Sequence, residues 1–368
     1  MDFELTDEQA MLREASRSML ADRTTIDRTH VDRGDDPYDE ALWQLGCELG
    51  WTGLAVPDRF GGTGQGLAEL VLVAEELGRA AAPNPFVPTT LTSRALARGG
   101  NAAAQAALLP GLAEGTVASV ALDEPGRTGR PQDIGTTAQL VDGAYRVTGR
   151  KCAVQHARQA WWVLVSAVLG DRLALLLVDL EDPRVRVRRQ EVLDLTRSFH
   201  EVTFDDVVVP ADRLIDDDPA AVQLLTDDAA VLTAADALGA MEQMLSLTVG
   251  HVTTRHQFDR PIGSFQAVKQ ATATMAIDVH ATRAAVHYAA MAIDADAPDA
   301  TRAAAAAASF AGTAATRVAG WALQLHGGIG FTWEHDLHLY LRRATVDAAL
   351  HGGAAVHDDR LVGLLQTT

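Results

Sequence analysis

The hydrophobic period of this chain changes twice, and that double change restricts the fold more than any single motif. From about Thr6 to Leu112 apolar residues recur at helical spacing, as in Leu42, Leu45 and Leu49, then Leu70, Val73 and Leu77. Turn signals interrupt this zone at Pro57 to Gly66 and at Pro83 to Pro88. Pro83-Asn84-Pro85 is excluded from a helix interior, because each proline lacks an N–H and restrains the residue before it. From about Ala118 to Leu214 the period shortens to two. An Asp142-Gly143 turn precedes the alternating run Tyr145-Arg146-Val147-Thr148, which is a hairpin signal. Trp161 to Val168 and Leu173 to Val178 are apolar runs of strand length, and Glu201 to Phe204 closes the set. Arg184-Val185-Arg186-Val187-Arg188 alternates strictly, so its valines face a core while its arginines face water. From about Ala220 to Leu365 the helical period returns. Ala303 to Ala308, with Ala314, Ala315 and Ala319, gives high helix propensity and lets neighbouring helices approach closely. The expectation is an α+β chain, mostly α. It has an N-terminal helical domain over residues 1–117, a middle antiparallel β-sheet domain over 118–215 and a C-terminal four-helix bundle over 216–368.

Charge and cysteine usage remove several function classes. The 368 residues carry a formal charge of -18, which excludes a nucleic-acid partner, because phosphate binding needs clustered Lys and Arg. Cys47 and Cys152 alone make neither a disulfide framework nor a metal site, so no metal is expected. The stretch Met1 to Arg13 is charged and has no signal-peptide core. No apolar run approaches the roughly 20 residues that span a bilayer. A cytoplasmic chain with no membrane span is the expectation.

Two C-terminal motifs carry chemistry. Arg255-His256-Gln257-Phe258 continues through Ile262 and Phe265 to Gln266, and Gln324-Leu325-His326-Gly327-Gly328-Ile329-Gly330-Phe331 follows. Arg255 offers a planar, permanently charged fork to a diphosphate. Gly327 and Gly328 lack Cβ atoms, so their amides can approach an anion, and Gln324 supplies both a donor and an acceptor. Upstream stand Gly50-Trp51-Thr52-Gly53-Leu54-Ala55-Val56-Pro57, Phe60-Gly61-Gly62 and Ala74-Glu75-Glu76-Leu77-Gly78. In this order, over nearly the whole chain, the pieces resemble the acyl-CoA dehydrogenases. The resemblance implies the cofactor FAD, an acyl-CoA substrate and electron-transfer flavoprotein as electron acceptor. It also implies that Arg255, Phe258, Gln266, Gln324, Gly327 and Gly328 reach across a dimer interface to the diphosphate and adenine of the neighbour's FAD.

The chain departs from the family where the chemistry occurs. An α C–H is a poor acid, so a carboxylate base must stand near it in a dry pocket. The family's usual position, about twenty residues after the Gly-Gly-x-Gly-Phe segment, is His351 here. The alternative early-helix position falls at about Ala229, next to Asp227 and Asp228; one or two residues of helix turn a side chain through roughly 100° to 200°. No carboxylate occupies either position, and His351, Asp227 and Asp228 are the candidate substitutes. The family's Thr-Glu-Pro-x-x-Gly-Ser-Asp stretch reads Asp123-Glu124-Pro125-Gly126-Arg127-Thr128-Gly129-Arg130, and the segment that packs on the flavin ring reads Cys152-Ala153-Val154-Gln155-His156-Ala157.

Residues serving a neighbour's FAD are present, whereas those serving the chain's own flavin and base are altered. A homo-oligomer has no use for that split. The pattern is similar to actinobacterial α2β2 acyl-CoA dehydrogenases acting on CoA thioesters of steroid side chains. That resemblance implies a second subunit carrying the catalytic Glu. Two other readings stay open: a self-sufficient homotetramer using His351 or Asp227/Asp228, and a non-catalytic scaffold. Arg342 and Arg343 are left between CoA phosphates and an acidic surface.

Overall fold

The computed structural model describes residues 4–23, 36–127, 130 and 133–366. Its N-terminal zone holds α1 (Asp7–Arg23), α2 (Glu40–Glu48), α3 (Leu67–Arg79), α4 (Phe86–Gly99) and α5 (Ala102–Ala113). Side chains set the helix starts: Asp39 accepts from the Leu42 N–H and Asn101 from the Ala104 N–H, both at 2.9 Å. Each satisfies a first-turn donor that has no partner within its helix. Leu42, Leu70, Val73 and Leu77 are buried, as their spacing predicts. Leu49 instead forms the cap beyond α2 and is exposed. Pro83 to Pro85 lie in the turn before α4, where Asn84 accepts from the Phe86 N–H at 2.9 Å.

The middle zone is a sheet of β1 (Ala118–Ala121), β2 (Thr137–Val141), β3 (Ala144–Gln155), β4 (Trp162–Leu169), β5 (Arg172–Asp179), β6 (Val185–Arg189), β7 (Phe199–Pro210) and β8 (Leu214–Asp216). Asp142 and Gly143 have φ of 52° and 81°, the left-handed backbone that a two-residue hairpin turn between β2 and β3 requires. Strand order is β6-β7-β3-β2-β4-β5-β8, with β1 beside β4. The sheet is therefore mixed, which corrects the antiparallel expectation: β1 and β2 both run parallel to β4. Strand β5 fills one edge of β4, so β1 and β2 divide the other, at Ala118↔Trp162 and Thr137↔Val168. Alternation identifies a strand but not the neighbour it takes. In β6, Val185 and Val187 pack on the sheet core while Arg186 and Arg188 point outward to Asp205 and Glu201.

The C-terminal zone is led by α6 (Pro219–Thr254), α7 (Gln266–Asp294) and α8 (Ala300–His326). Asp218 caps α6 and Pro219 opens it, where a missing N–H costs nothing. At 36 residues, α6 is about 54 Å long. Helices α9 (Leu337–Asp347) and α10 (Gly353–Gln366) supply the fourth side, α9 against α6 and α8, and α10 against α8. Helices α3 and α6 touch backbone to backbone. A Cβ on Gly239 would stand 1.8 Å from the Glu75 carbonyl, and one on Gly78 would stand 1.9 Å from that of Asp236. The same core takes in Leu164, Leu175 and Leu177 of the sheet, so the helical and sheet zones share apolar packing. Among the described residues no helix is long and apolar enough to cross a membrane.

Candidate functional site

The two motifs of the C-terminal zone meet at one end of the bundle. Helix α6 stops at Thr254, and Arg255 turns out of it at φ -74° and ψ 124° while its N–H still donates to the His251 carbonyl at 2.9 Å. A short hairpin follows, β9 (His256–Gln257) and β10 (Arg260–Pro261), turning through Phe258 and Asp259 at φ of 53° and 61°. Phe258 is 85% exposed and meets Phe265 edge-on at 6.1 Å; Gln266, the first residue of α7, is exposed too. From the other side, α8 ends at His326 and the chain reverses through Gly327 at φ 63°. A Cβ on Gly327 or Gly328 would meet nothing within 4 Å, so that backbone faces open space. The His251 and His326 rings stack at 4.5 Å and tie the two helix ends together. Arg255, Gln324, Gly327 and Gly328 are all exposed, and the His251–His326 stack brings the ends of α6 and α8 together. A cation, an amide and accessible N–H groups form a donor set suited to a diphosphate.

The inner site, around His351, is the opposite. His351 bridges α9 and α10 at φ 54°, and Gly352 and Gly353 follow at φ 90° and 64°. Its Nδ1 lies 3.6 Å from the Asp123 carboxylate and makes no hydrogen bond among the described residues. Burial holds the imidazole below its usual pKa, outweighing the pull of Asp123. Two spaces adjoin it, one of about 20 Å³ shared with Asp347 and His357, the other of about 10 Å³ shared with Asp123, Arg130 and Ser166. Each holds about one water molecule.

A buried ion network fills the surroundings. Arg197, just before β7, donates to Asp194 at 2.8 Å and to Asp347 of α9 at 2.5 Å. Arg343, one turn earlier on α9, donates to Asp236 of α6 at 2.8 Å, to the Ala82 carbonyl at 3.2 Å and to Thr196 at 3.3 Å. All five charged side chains are nearly inaccessible. Burial pushes both carboxyls up; beside Arg197, Asp194 nonetheless stays below its usual range, whereas Asp347 sits well above it. Arg343 therefore faces neither CoA phosphates nor an acidic surface. Arg342 donates to the Leu193 carbonyl at 3.4 Å and lies over the Trp333 ring.

The other candidate bases are also engaged. Asp228 is buried between Arg94 at 2.9 Å and Arg98 at 2.7 Å. Asp227 pairs with Arg360 and accepts from Gln223 at 3.0 Å; burial raises its pKa in spite of Arg360. Neither lines the spaces beside His351. Both carboxylates are engaged in ion pairs.

The middle-zone segments are similarly committed. Glu124 accepts from the Gly135 and Thr136 N–H groups at 2.7 and 2.9 Å and from fully buried Lys151 at 2.9 Å. Arg127 pairs with Glu124 and Arg130 with Asp359 of α10, while Thr128 and Gly129 lie outside the described residues. The Ala153 N–H donates to Gln190 at 2.7 Å. His156 is fully buried against Tyr38, and burial pulls its pKa down to about 3.

Sequence reasoning missed the Arg197, Asp194, Asp347 and Asp236 network. A signal existed: Asp194 and Arg197 stand three apart, and Arg343 and Asp347 four apart, each pair among apolar neighbours.

Comparison with known proteins follows this architecture. The acyl-CoA dehydrogenase N-terminal domain family matches residues 6–116, and the C-terminal domain family matches 221–362. Acyl-CoA dehydrogenase IpdE2 of Mycobacterium tuberculosis is 34% identical over 351 residues, covering 94% of this chain and 93% of its own. In the ChsE4-ChsE5 complex from Mycobacterium tuberculosis, a chain 30% identical superposes with a TM-score of 0.93 over 100% of both chains. The Tcur3481-Tcur3483 steroid ACAD contains a chain 32% identical, with a TM-score of 0.90 over 98% of each.

Proposed function

The chain belongs to the acyl-CoA dehydrogenase family, FAD-dependent oxidoreductases acting on CH–CH bonds, and from that premise we propose that it is a subunit unable to catalyse alone. It completes the FAD site of a second acyl-CoA dehydrogenase-like subunit, which carries the catalytic Glu, in an α2β2 assembly. When bound there, FAD would supply the acceptor for a hydride from the β-carbon. This chain's part is to hold the far end of that cofactor: Arg255 and the Gly327–Gly328 amides at the diphosphate, Gln324 and Gln266 beside it, and Phe258 under cover of the partner. No proton moves to His351.

The observation that carries this reading is the contrast between the two ends of one chain. The rim around Arg255 is open and rich in donors, whereas the space beside His351 is of water size. The likeness to chains of the ChsE4-ChsE5 complex and of the Tcur3481-Tcur3483 steroid ACAD supports a two-subunit enzyme. It also supports the CoA thioester of a steroid side chain as substrate. Electrons then pass to electron-transfer flavoprotein. The cytoplasm, where CoA thioesters are made and used, is the proposed compartment.

Purification of the chain alone and with its partner tests the proposal. The chain alone should be colourless and inactive, and the pair should be yellow and should dehydrogenate acyl-CoA. A yellow, active preparation of the chain alone would overturn it.

A further inference from the structure

Directly behind the glycine reversal lie three imidazoles in contact. His326 stacks on His251 at 4.5 Å with 23° between planes, and His335 meets His326 edge-on at 4.9 Å. The tautomer of His326 is fixed: its Nδ1 must carry the proton, because it lies 2.8 Å from the Ala322 carbonyl, which can only accept. Its Nε2 is then a bare lone pair. That nitrogen is buried and has no hydrogen-bond partner among the described residues, on a residue only 5% exposed. His335 is oriented by the Leu337 N–H, which donates to its Nδ1 at 3.1 Å.

An unpartnered buried nitrogen is costly and calls for an explanation. The rings packed on it are His251 from α6, with Arg255 one turn further on acting on His251, and His335 from the loop before α9, beside Asp336. In the absence of a ligand, burial together with His251 and His335 favours the neutral ring. Burial, His335 and Arg255 act likewise on His251. A diphosphate held by Arg255 and the Gly327–Gly328 amides would place negative charge next to the stack and reverse that balance.

Resting on the clasp reading above, we propose that the His251–His326–His335 stack is a proton-linked part of that clasp, with His326 a cofactor-positioning residue whose Nε2 takes up a solvent proton as the diphosphate binds. His326 is adjacent to Gly327 in the chain, so the acquired charge lies one residue from the glycine backbone that the clasp reading assigns to the anion. By linkage, FAD then binds more tightly as pH falls, by at most about tenfold per pH unit for one proton.

The test uses the assembled two-subunit complex, stripped of flavin and titrated with FAD between pH 6 and 8. The dissociation constant should fall several-fold toward pH 6. Calorimetry in two buffers of different ionisation enthalpy should show proton uptake on binding. His326→Asn keeps a donor for the Ala322 carbonyl and removes the titrating nitrogen, so it should flatten the pH profile and abolish the uptake. Arg255→Ala should weaken binding at every pH with the slope retained. FAD bound with a pH-independent constant and no buffer-dependent heat would overturn this inference alone. A wild-type profile unchanged in His326→Asn would overturn it too. No FAD binding at any pH would overturn the clasp reading and this inference with it.

Discussion

The Arg197 guanidinium donates to Asp347 at 2.5 Å, tying the segment before β7 to α9 at the wall of the small cavity that Asp347 shares with His351. The contact spans 150 residues of sequence.

Removing Arg197 should be costly. Arg197→Met leaves Asp194 and Asp347 buried without their cation, and breaking a buried pair costs about 3–5 kcal/mol. Urea unfolding at pH 7 should show a loss of that size. The loss should shrink toward pH 5, because two unpaired buried carboxyls relieve the cost by taking up protons.

His351 should not behave as a base. His351→Ala should leave the activity of the assembled enzyme within a few-fold. His351→Glu, which restores the family's residue type, should give the isolated chain no activity, because on the proposed reading the reacting flavin ring is held by the partner. Steady-state kinetics of both variants checks this, and a collapse of kcat in His351→Ala with FAD retained would make His351 the base.

Acid should weaken the fold through buried imidazoles. His156 is held down to about 3 by burial, whereas an unfolded His titrates near 6.5. Between those values the unfolded state binds more protons, so stability falls as pH drops below about 6.5. By pH 5 the loss from His156 should be about 2 kcal/mol, and His351, lowered for the same reason, adds to it. Unfolding midpoints at pH 7.5 and pH 5 check the slope, which His156→Asn should reduce.

The contact of α3 with α6 should tolerate no side chain. Gly239→Ala drives a Cβ toward the Glu75 carbonyl and should cost about 1–3 kcal/mol of overpacking strain, seen as a lower Tm. Gly250→Ala, on the same helix where a Cβ meets nothing, should be neutral or slightly stabilising.

The fold was legible where periodicity speaks. The Asp142-Gly143 hairpin, the alternating arginines of β6 and the alanine-rich α8 follow from local spacing alone. Strand partners did not: β1 and β2 run parallel to β4 because β5 takes its other edge, a choice that no local pattern encodes. At the site, the open rim was readable because Arg255, Gly327 and Gly328 lie within contiguous motifs. The filled interior was not, because Arg197, Asp347, Arg343 and Asp236 come from separate elements and meet only once the sheet packs on the bundle. Asp227 and Asp228 show the converse. They looked like bases by position and are ion-paired to Arg360, Arg94 and Arg98, two of them on a helix more than a hundred residues earlier.

The number of flavins in the assembled enzyme tests the central claim most directly. Native mass spectrometry of the purified complex, for wild type and for Arg255→Ala in this chain, counts them without relying on activity. The account predicts one FAD for each pair of unlike subunits, lost in Arg255→Ala although the residues reacting with substrate belong to the partner. One FAD for every subunit, or full retention in Arg255→Ala, would contradict it.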